Sequence, residues 1–199
     1  YKIPVYDNIK LLDEANLFSE WYAKKVLKKN KLIKFKANLK KQIKFLLTNL
    51  NSKEKIFVHR DFHVSNLIKF KNKIGVIDSQ DALIGNRAYD LASLIDDVRF
   101  KTHKKLKDKI YNHYLKLNKK KVNEAVLLND FEILSILRNM KIIGIFTRLA
   151  IRDKKKQYLK LIPYAWKLIE LRISNNMKFS ELKNLLDLNF SQKIRNQKW

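Results

Sequence analysis

Two neighbouring stretches decide how this chain folds: Ile56-Phe-Val-His-Arg-Asp-Phe-His-Val-Ser-Asn66 and Ile74-Gly-Val-Ile-Asp-Ser-Gln-Asp81. Each begins with a short apolar, β-branched run and ends in polar residues. That pattern reads as a strand feeding a loop, and loops at strand ends hold reactive groups on a rigid frame. A third apolar run, Asn66-Leu-Ile-Lys-Phe70, precedes the second stretch, and Lys71-Asn-Lys73 between them predicts a hairpin.

Away from this region the apolar residues recur at helical spacing. Asp13 to Lys29 carries Leu17, Phe18, Trp21, Tyr22 and Val26, with Asp13 as the expected N-cap and Trp21 expected in the core. Residues 34–50 place Phe35, Leu39, Ile43, Leu46 and Leu47 on one face. Beyond the polar loops, helices are expected over Tyr89–Asp97 and residues 104–116, 123–149 and 158–173, and Ser180 is expected to cap a last short helix before a basic tail. The fold class is therefore α+β, mostly α, with a small β element carrying the polar loop.

Composition narrows the function. The chain has 199 residues and is 46% hydrophobic, enough for an ordinary core. It contains no cysteine, which excludes disulfides and thiolate metal sites. No apolar stretch is long enough for a membrane span and no signal peptide is visible, so a cytoplasmic protein is the default expectation. The net charge of +25 suggests a nucleic-acid or anionic partner. However, the lysines are scattered in short runs such as Lys24–Lys25, Lys40–Lys41 and Lys119–Lys121, so a Lys-rich surface is the preferred reading.

The polar residues point to phosphoryl transfer. His59-Arg60-Asp61 followed by Asn66 has the spacing of a kinase catalytic loop. Asp61 would accept or orient the proton of an attacking hydroxyl, and Asn66 would offer an amide oxygen to Mg²⁺. Asp78, directly after an apolar strand, suits a Mg²⁺ ligand bridging nucleotide phosphates, and Asp81 could serve a second metal or contact the loop. Asp90 reads equally as a helix N-terminal charge or as a support that holds the catalytic loop. His59, Asp61 and His63 could instead form a Zn²⁺ site, but that reading leaves Asn66 and Asp78 without a role. The short Ser79–Tyr89 interval leaves no room for a peptide-docking activation segment, so the acceptor is expected to be a small hydroxyl compound.

Val58-His-Arg-Asp-Phe-His-Val-Ser-Asn66, Gly75-Val-Ile-Asp-Ser-Gln-Asp-Ala82 and Tyr89-Asp-Leu-Ala-Ser-Leu94 resemble the aminoglycoside phosphotransferase family, which has a protein-kinase-like fold. Within it the chain is most similar to bacterial kinases of the anomeric hydroxyl of N-acetylmuramate and N-acetylglucosamine. That similarity extends through Leu17-Phe-Ser-Glu-Trp-Tyr22, Met140–Leu149 with Arg152-Asp153, and Tyr158–Pro163. The resemblance implies ATP and Mg²⁺ as cofactors, Asp61 as catalytic base, Asn66 and Asp78 as metal ligands, and His59, Arg60 and Asp90 as loop support. Asn139, Arg148 and Arg152 are candidate sugar contacts, the alternative being that the two arginines cap or pair on the helix surface. One departure is visible: Ser79 stands where the sugar kinases usually carry Phe, which should loosen packing under Asp78 without removing the metal ligand.

No Gly-rich phosphate loop and no Lys-bearing strand of the kinase N-terminal lobe can be identified among the chain's three glycines and their surroundings. Residues 1–199 are therefore expected to be the C-terminal lobe, with an ATP-clamping lobe preceding Tyr1, and the fragment is expected to be inactive alone. Two alternatives remain: an aminoglycoside- or choline-type kinase of the same family, and a non-catalytic basic nucleic-acid-binding domain.

Overall fold

The change of hydrophobic period at Ile56 is visible as a change of architecture. A computed structural model describes residues 2–174 and 176–197; the end of the basic tail lies outside them. The chain divides into two compact units, Tyr1–Asp7 with Leu50–Ser135, and Asn8–Asn49 with Ile136–Trp199.

The first unit carries the strands. β1 (Ile56–Val58) forms where the apolar run predicts it, β2 (Leu67–Phe70) and β3 (Lys73–Val76) form the expected hairpin, and β4 (Leu83–Gly85) was not anticipated. β1 pairs antiparallel with β4, Val58 opposite Leu83. The N-terminal segment adds to this small sheet: Tyr6 N–H donates to the Ile84 carbonyl at 2.8 Å, and Ile84 N–H donates to the Pro4 carbonyl at 2.9 Å. Gly85 makes that approach possible, since a Cβ there would lie 3.0 Å from Tyr6 Cβ and 3.3 Å from Val58 Cγ2. β2 and β3 pair antiparallel through a two-residue turn in which Lys71 takes a φ of 52°.

Helix α4 (Ala88–Ile95) follows, its N-terminus capped by Asn86, whose Oδ1 accepts from Ala88 N–H at 3.0 Å. The same Asn86 amide donates to the buried carboxylate of Asp130, which also accepts from Asn51 N–H and Ser52 N–H. After α4 comes α5 (Lys104–Asn118), fastened by a buried ion pair between Lys107 and Asp96 at 2.6 Å, with Ser135 donating to the other Asp96 oxygen. These bonds satisfy carboxylates that would otherwise be costly to bury.

The second unit is helical: α1 (Asn8–Leu17), α2 (Lys24–Val26), α3 (Lys29–Thr48), most of α6 (Glu124–Arg152), α7 (Ile162–Ile173), α8 (Ser180–Asn189) and α9 (Gln192–Arg195). All five apolar positions expected on one face of α3 are buried. Phe18, Tyr22, Phe35, Trp166 and Phe190 form an aromatic core, with Phe18 and Trp166 edge-to-face at 5.4 Å. The indole N–H of Trp166 donates to the Tyr22 hydroxyl at 3.1 Å. Burial pushes the Tyr22 phenol up to about 12.

Three local expectations are corrected. Asp13 is not an N-cap: the helix starts at Asn8, and Asp13 is exposed on its second turn. Trp21 is not core but half-buried, because Phe18–Ala23 forms a π-helical turn. The wider turn keeps Phe18 and Tyr22 on the inner face and rotates Trp21 out of line with them. The turn begins where the backbone lies against Gly144 of α6, since a Cβ on Gly144 would lie 2.3 Å from the Leu17 carbonyl carbon. Ser180 is the first residue of α8 and makes no side-chain cap bond.

Candidate active site

β1 ends at Val58, which is fully buried, and the chain turns at once into His59 and Arg60. Arg60 takes a φ of 72° and Asp78 a φ of 71°, the left-handed region that costs a non-glycine residue free energy. The two strained residues lie at the starts of the two predicted functional loops. Such strain persists only where the surroundings over-determine it.

The surroundings are specific. Both carboxylate oxygens of Asp90, on the first turn of α4, accept main-chain bonds from the loop, from His59 N–H at 2.7 Å and Arg60 N–H at 3.0 Å. Of the two readings open for Asp90 in the sequence, the geometry realises contact with the loop. Arg60 reaches the other loop, with its Nη1 donating to the Asp81 carbonyl at 3.0 Å and its guanidinium 5.3 Å from the Tyr6 ring centre. Asp81 thus meets the His59–Asn66 loop through its main chain.

Two further bonds tie the loops together. His59 Nε2 donates to the Ile77 carbonyl at 2.9 Å, and Ile77 N–H donates to the Asn66 carbonyl at 3.1 Å. Asp78 follows directly, exposed, with one oxygen accepting from the Gln80 amide at 2.8 Å. The loop also closes on itself. His63 N–H donates to the Asp61 carbonyl at 2.9 Å, and Asn66 Nδ2 donates to the same carbonyl at 2.9 Å. With its nitrogen committed, the Asn66 amide presents its oxygen as the metal-capable atom.

The donor set suits Mg²⁺. An amide oxygen on Asn66 and a carboxylate on Asp78 are hard oxygen ligands, and Mg²⁺ takes only one or two protein ligands, the rest coming from phosphate and water. The Zn²⁺ alternative fits poorly: among the described residues no group of three His, Cys, Asp or Glu side chains is placed to hold a metal, and His59 Nε2 is committed to a carbonyl.

The other candidates lie on the second unit. Asn139 is fully buried, Arg148 is half-buried, and exposed Arg152 pairs with Asp153 through Nε at 2.7 Å and Nη2 at 3.1 Å. That contact holds the Asp153 carboxyl below the usual range.

Sequence reasoning missed Asp97. Its carboxylate has no exposed surface and accepts from Val64 N–H at 3.2 Å and Arg99 N–H at 2.9 Å. No motif marks it; the only signal was an adjacent acidic pair, Asp96-Asp97, at the end of an apolar helix.

The phosphotransferase enzyme family matches residues 3–123, more than half of the chain and all of the loops just described. The chain belongs to the phosphotransferase enzyme family. Among its curated relatives, an N-acetylmuramate/N-acetylglucosamine kinase of Neisseria meningitidis is 34% identical over 166 residues, covering 81% of this chain and 50% of that protein. A kinase of the same name from Pseudomonas aeruginosa is 30% identical over 193 residues, covering 92% of this chain and 56% of its own length. This family member thus spans about half the length of the curated relatives it matches. Among its described residues no helix is long and apolar enough to cross a membrane.

Proposed function

We propose that this chain is the acceptor-activating, metal-holding half of an ATP-dependent kinase that phosphorylates a hydroxyl group of an amino sugar. The observation that carries this reading is the tied pair of loops. Asp61 and Asn66 share one closed loop, and His59 and Ile77 link it to Asp78.

In this reading Asp61 takes the proton of the acceptor hydroxyl as its oxygen bonds to the γ-phosphorus of ATP. The bond from that phosphorus to the bridging oxygen breaks, and ADP leaves with the electron pair. Asn66 and Asp78 would hold Mg²⁺, which would supply positive charge to the phosphates. Asp90 and His59 hold the two loops in register.

The amino-sugar acceptor is supported by the names of the relatives, both N-acetylmuramate/N-acetylglucosamine kinases. A further lobe is supported by the hairpin: Ile68, Phe70, Ile74 and Val76 are exposed, with Phe70 67% and Ile74 61% accessible. A two-stranded hairpin with apolar residues on show is marginal by itself. We infer that an ATP-clamping lobe preceding these residues covers it, so the 199-residue chain alone transfers phosphate slowly or not at all.

The test is phosphate transfer from ATP by the full-length protein to N-acetylmuramate, N-acetylglucosamine, an aminoglycoside and choline. Sugar phosphate is the expected product. Phosphorylation of only the cationic acceptors would replace the amino-sugar assignment. Absence of nucleotide binding together with steeply salt-dependent nucleic-acid binding would remove the kinase reading altogether.

A further inference from the structure

The buried carboxylates of the first unit fall into two groups. Asp96 and Asp130 bind helices and scaffold segments to one another through Lys107, Ser135, Asn86 and the 51–52 main chain. Asp97 instead reaches the catalytic loop. Its Oδ2 accepts from Val64 N–H, the first residue of the 3₁₀ turn Val64–Asn66. The residue before that turn, His63, makes no side-chain cap bond, so Asp97 supplies a cap from a distant point of the chain. Asp90 grips the front of the loop at His59 and Arg60, and Asp97 grips its back.

The turn that Asp97 caps delivers Asn66. Within it Asn66 N–H donates to the His63 carbonyl at 2.9 Å, and the Asn66 amide is locked to the Asp61 carbonyl. We propose that Asp97 is a positioning residue that caps this turn and so aims the Asn66 amide oxygen at the metal. The inference rests on the metal-holding role proposed for Asn66.

The test uses the full-length protein and Mn²⁺ as probe, with free ion measured by electron paramagnetic resonance. Hydrogen exchange at the Asn66 amide is followed in parallel. Asp97→Ala should weaken Mn²⁺ binding and speed Asn66 exchange by about tenfold each, as expected when the turn loses its one charge-assisted hydrogen bond to Asp97. With chemistry slow relative to acceptor release, the acceptor KM should stay within about twofold, because the turn that Asp97 caps is assigned to the metal and not to the acceptor.

A second substitution separates capping from general support. Proline at the first position of a helical turn needs no N–H and presets φ, and His63, with φ −128° and ψ 165°, already has the extended conformation a residue before proline prefers. Asp97→Ala with Val64→Pro should therefore recover Mn²⁺ affinity to within about threefold of the parent. Unchanged Mn²⁺ affinity in a folded Asp97→Ala protein, or a loss that Val64→Pro does not relieve, would overturn the proposal. Should the alanine variant fail to fold, Asp97→Asn keeps an acceptor for Val64 N–H. It should bind Mn²⁺ within about threefold of the parent, and a tenfold loss would overturn the proposal. If the parent protein binds no Mn²⁺, the kinase reading fails separately, and Asn66 exchange still reports whether Asp97 caps the turn.

Discussion

The two units solve different problems with the same chain. The helical unit is closed around five aromatic side chains, with the buried Tyr22 phenol accepting from the Trp166 indole N–H and donating to the Ile194 carbonyl at 3.5 Å. The unit bearing the loops holds its candidate functional segment by carboxylates on main-chain N–H groups, keeps three non-glycine residues at left-handed φ, two of them at the loop starts, and leaves the hairpin apolar and exposed. Close packing tolerates no change of shape but carries no chemistry. A loop pinned by directed polar bonds keeps its reactive oxygens uncovered, and its strain is sustained by those bonds. Stability and function therefore answer to different residues in the two regions.

Substitutions can break that division. Of the substitutions that set the two regions against each other, the largest effect is expected from Asp78→Ala in the full-length protein. Turnover should fall about 10³-fold, in line with the several kcal/mol a catalytic metal supplies, with little change in melting temperature. Trp166→Ala should do the reverse in kind, costing about 3–5 kcal/mol of stability in denaturant titrations. Turnover measured well below the new melting temperature should stay near normal.

Asp90→Ala lies between these extremes. It frees two main-chain donors, and hydrogen bonds to charged groups contribute about 1.5–3 kcal/mol each. Exchange at the His59 and Arg60 amides should accelerate, and turnover should drop more than stability does. Equal losses would erase the distinction between a positioned loop and a packed core.

The smallest effect is confined to alkaline solution. The Tyr22 phenol is raised from 10.0 to about 12 by burial, so the folded state holds its proton where the unfolded state loses it. Its contribution is fully present below pH 10 and is lost as pH rises through about 12. Tyr22→Phe should flatten that decline relative to the parent, read as the difference between their denaturation midpoints from pH 9 upward.

Much of this was legible in the sequence where periodicity was strong. β1 has the predicted bounds, and α3 buries all five residues its stripe singled out. Legibility failed where a local device overrode the period. The π-helical turn at Phe18–Ala23 turned Trp21 away from the core, and a helix start at Asn8 left Asp13 mid-helix. β4 is a three-residue strand ending in glycine, too short to show alternation, and it exists because β1 and the N-terminal segment pair with it. The candidate site residues carry motif spacing and so stand out in the chain. Asp97 could not, because its partner Val64 is brought to it only by the fold.

The central claim, that the loop from His59 to Asn66 with Asp78 is the acceptor-activating half of a kinase site, rests most directly on Asp61. Single-turnover phosphorylation of an amino sugar by full-length Asp61→Asn protein should be about 10²–10⁴-fold slower than by the parent, the range of general-base contributions, with nucleotide binding and folding unchanged. Near-parental turnover by that variant would contradict the account.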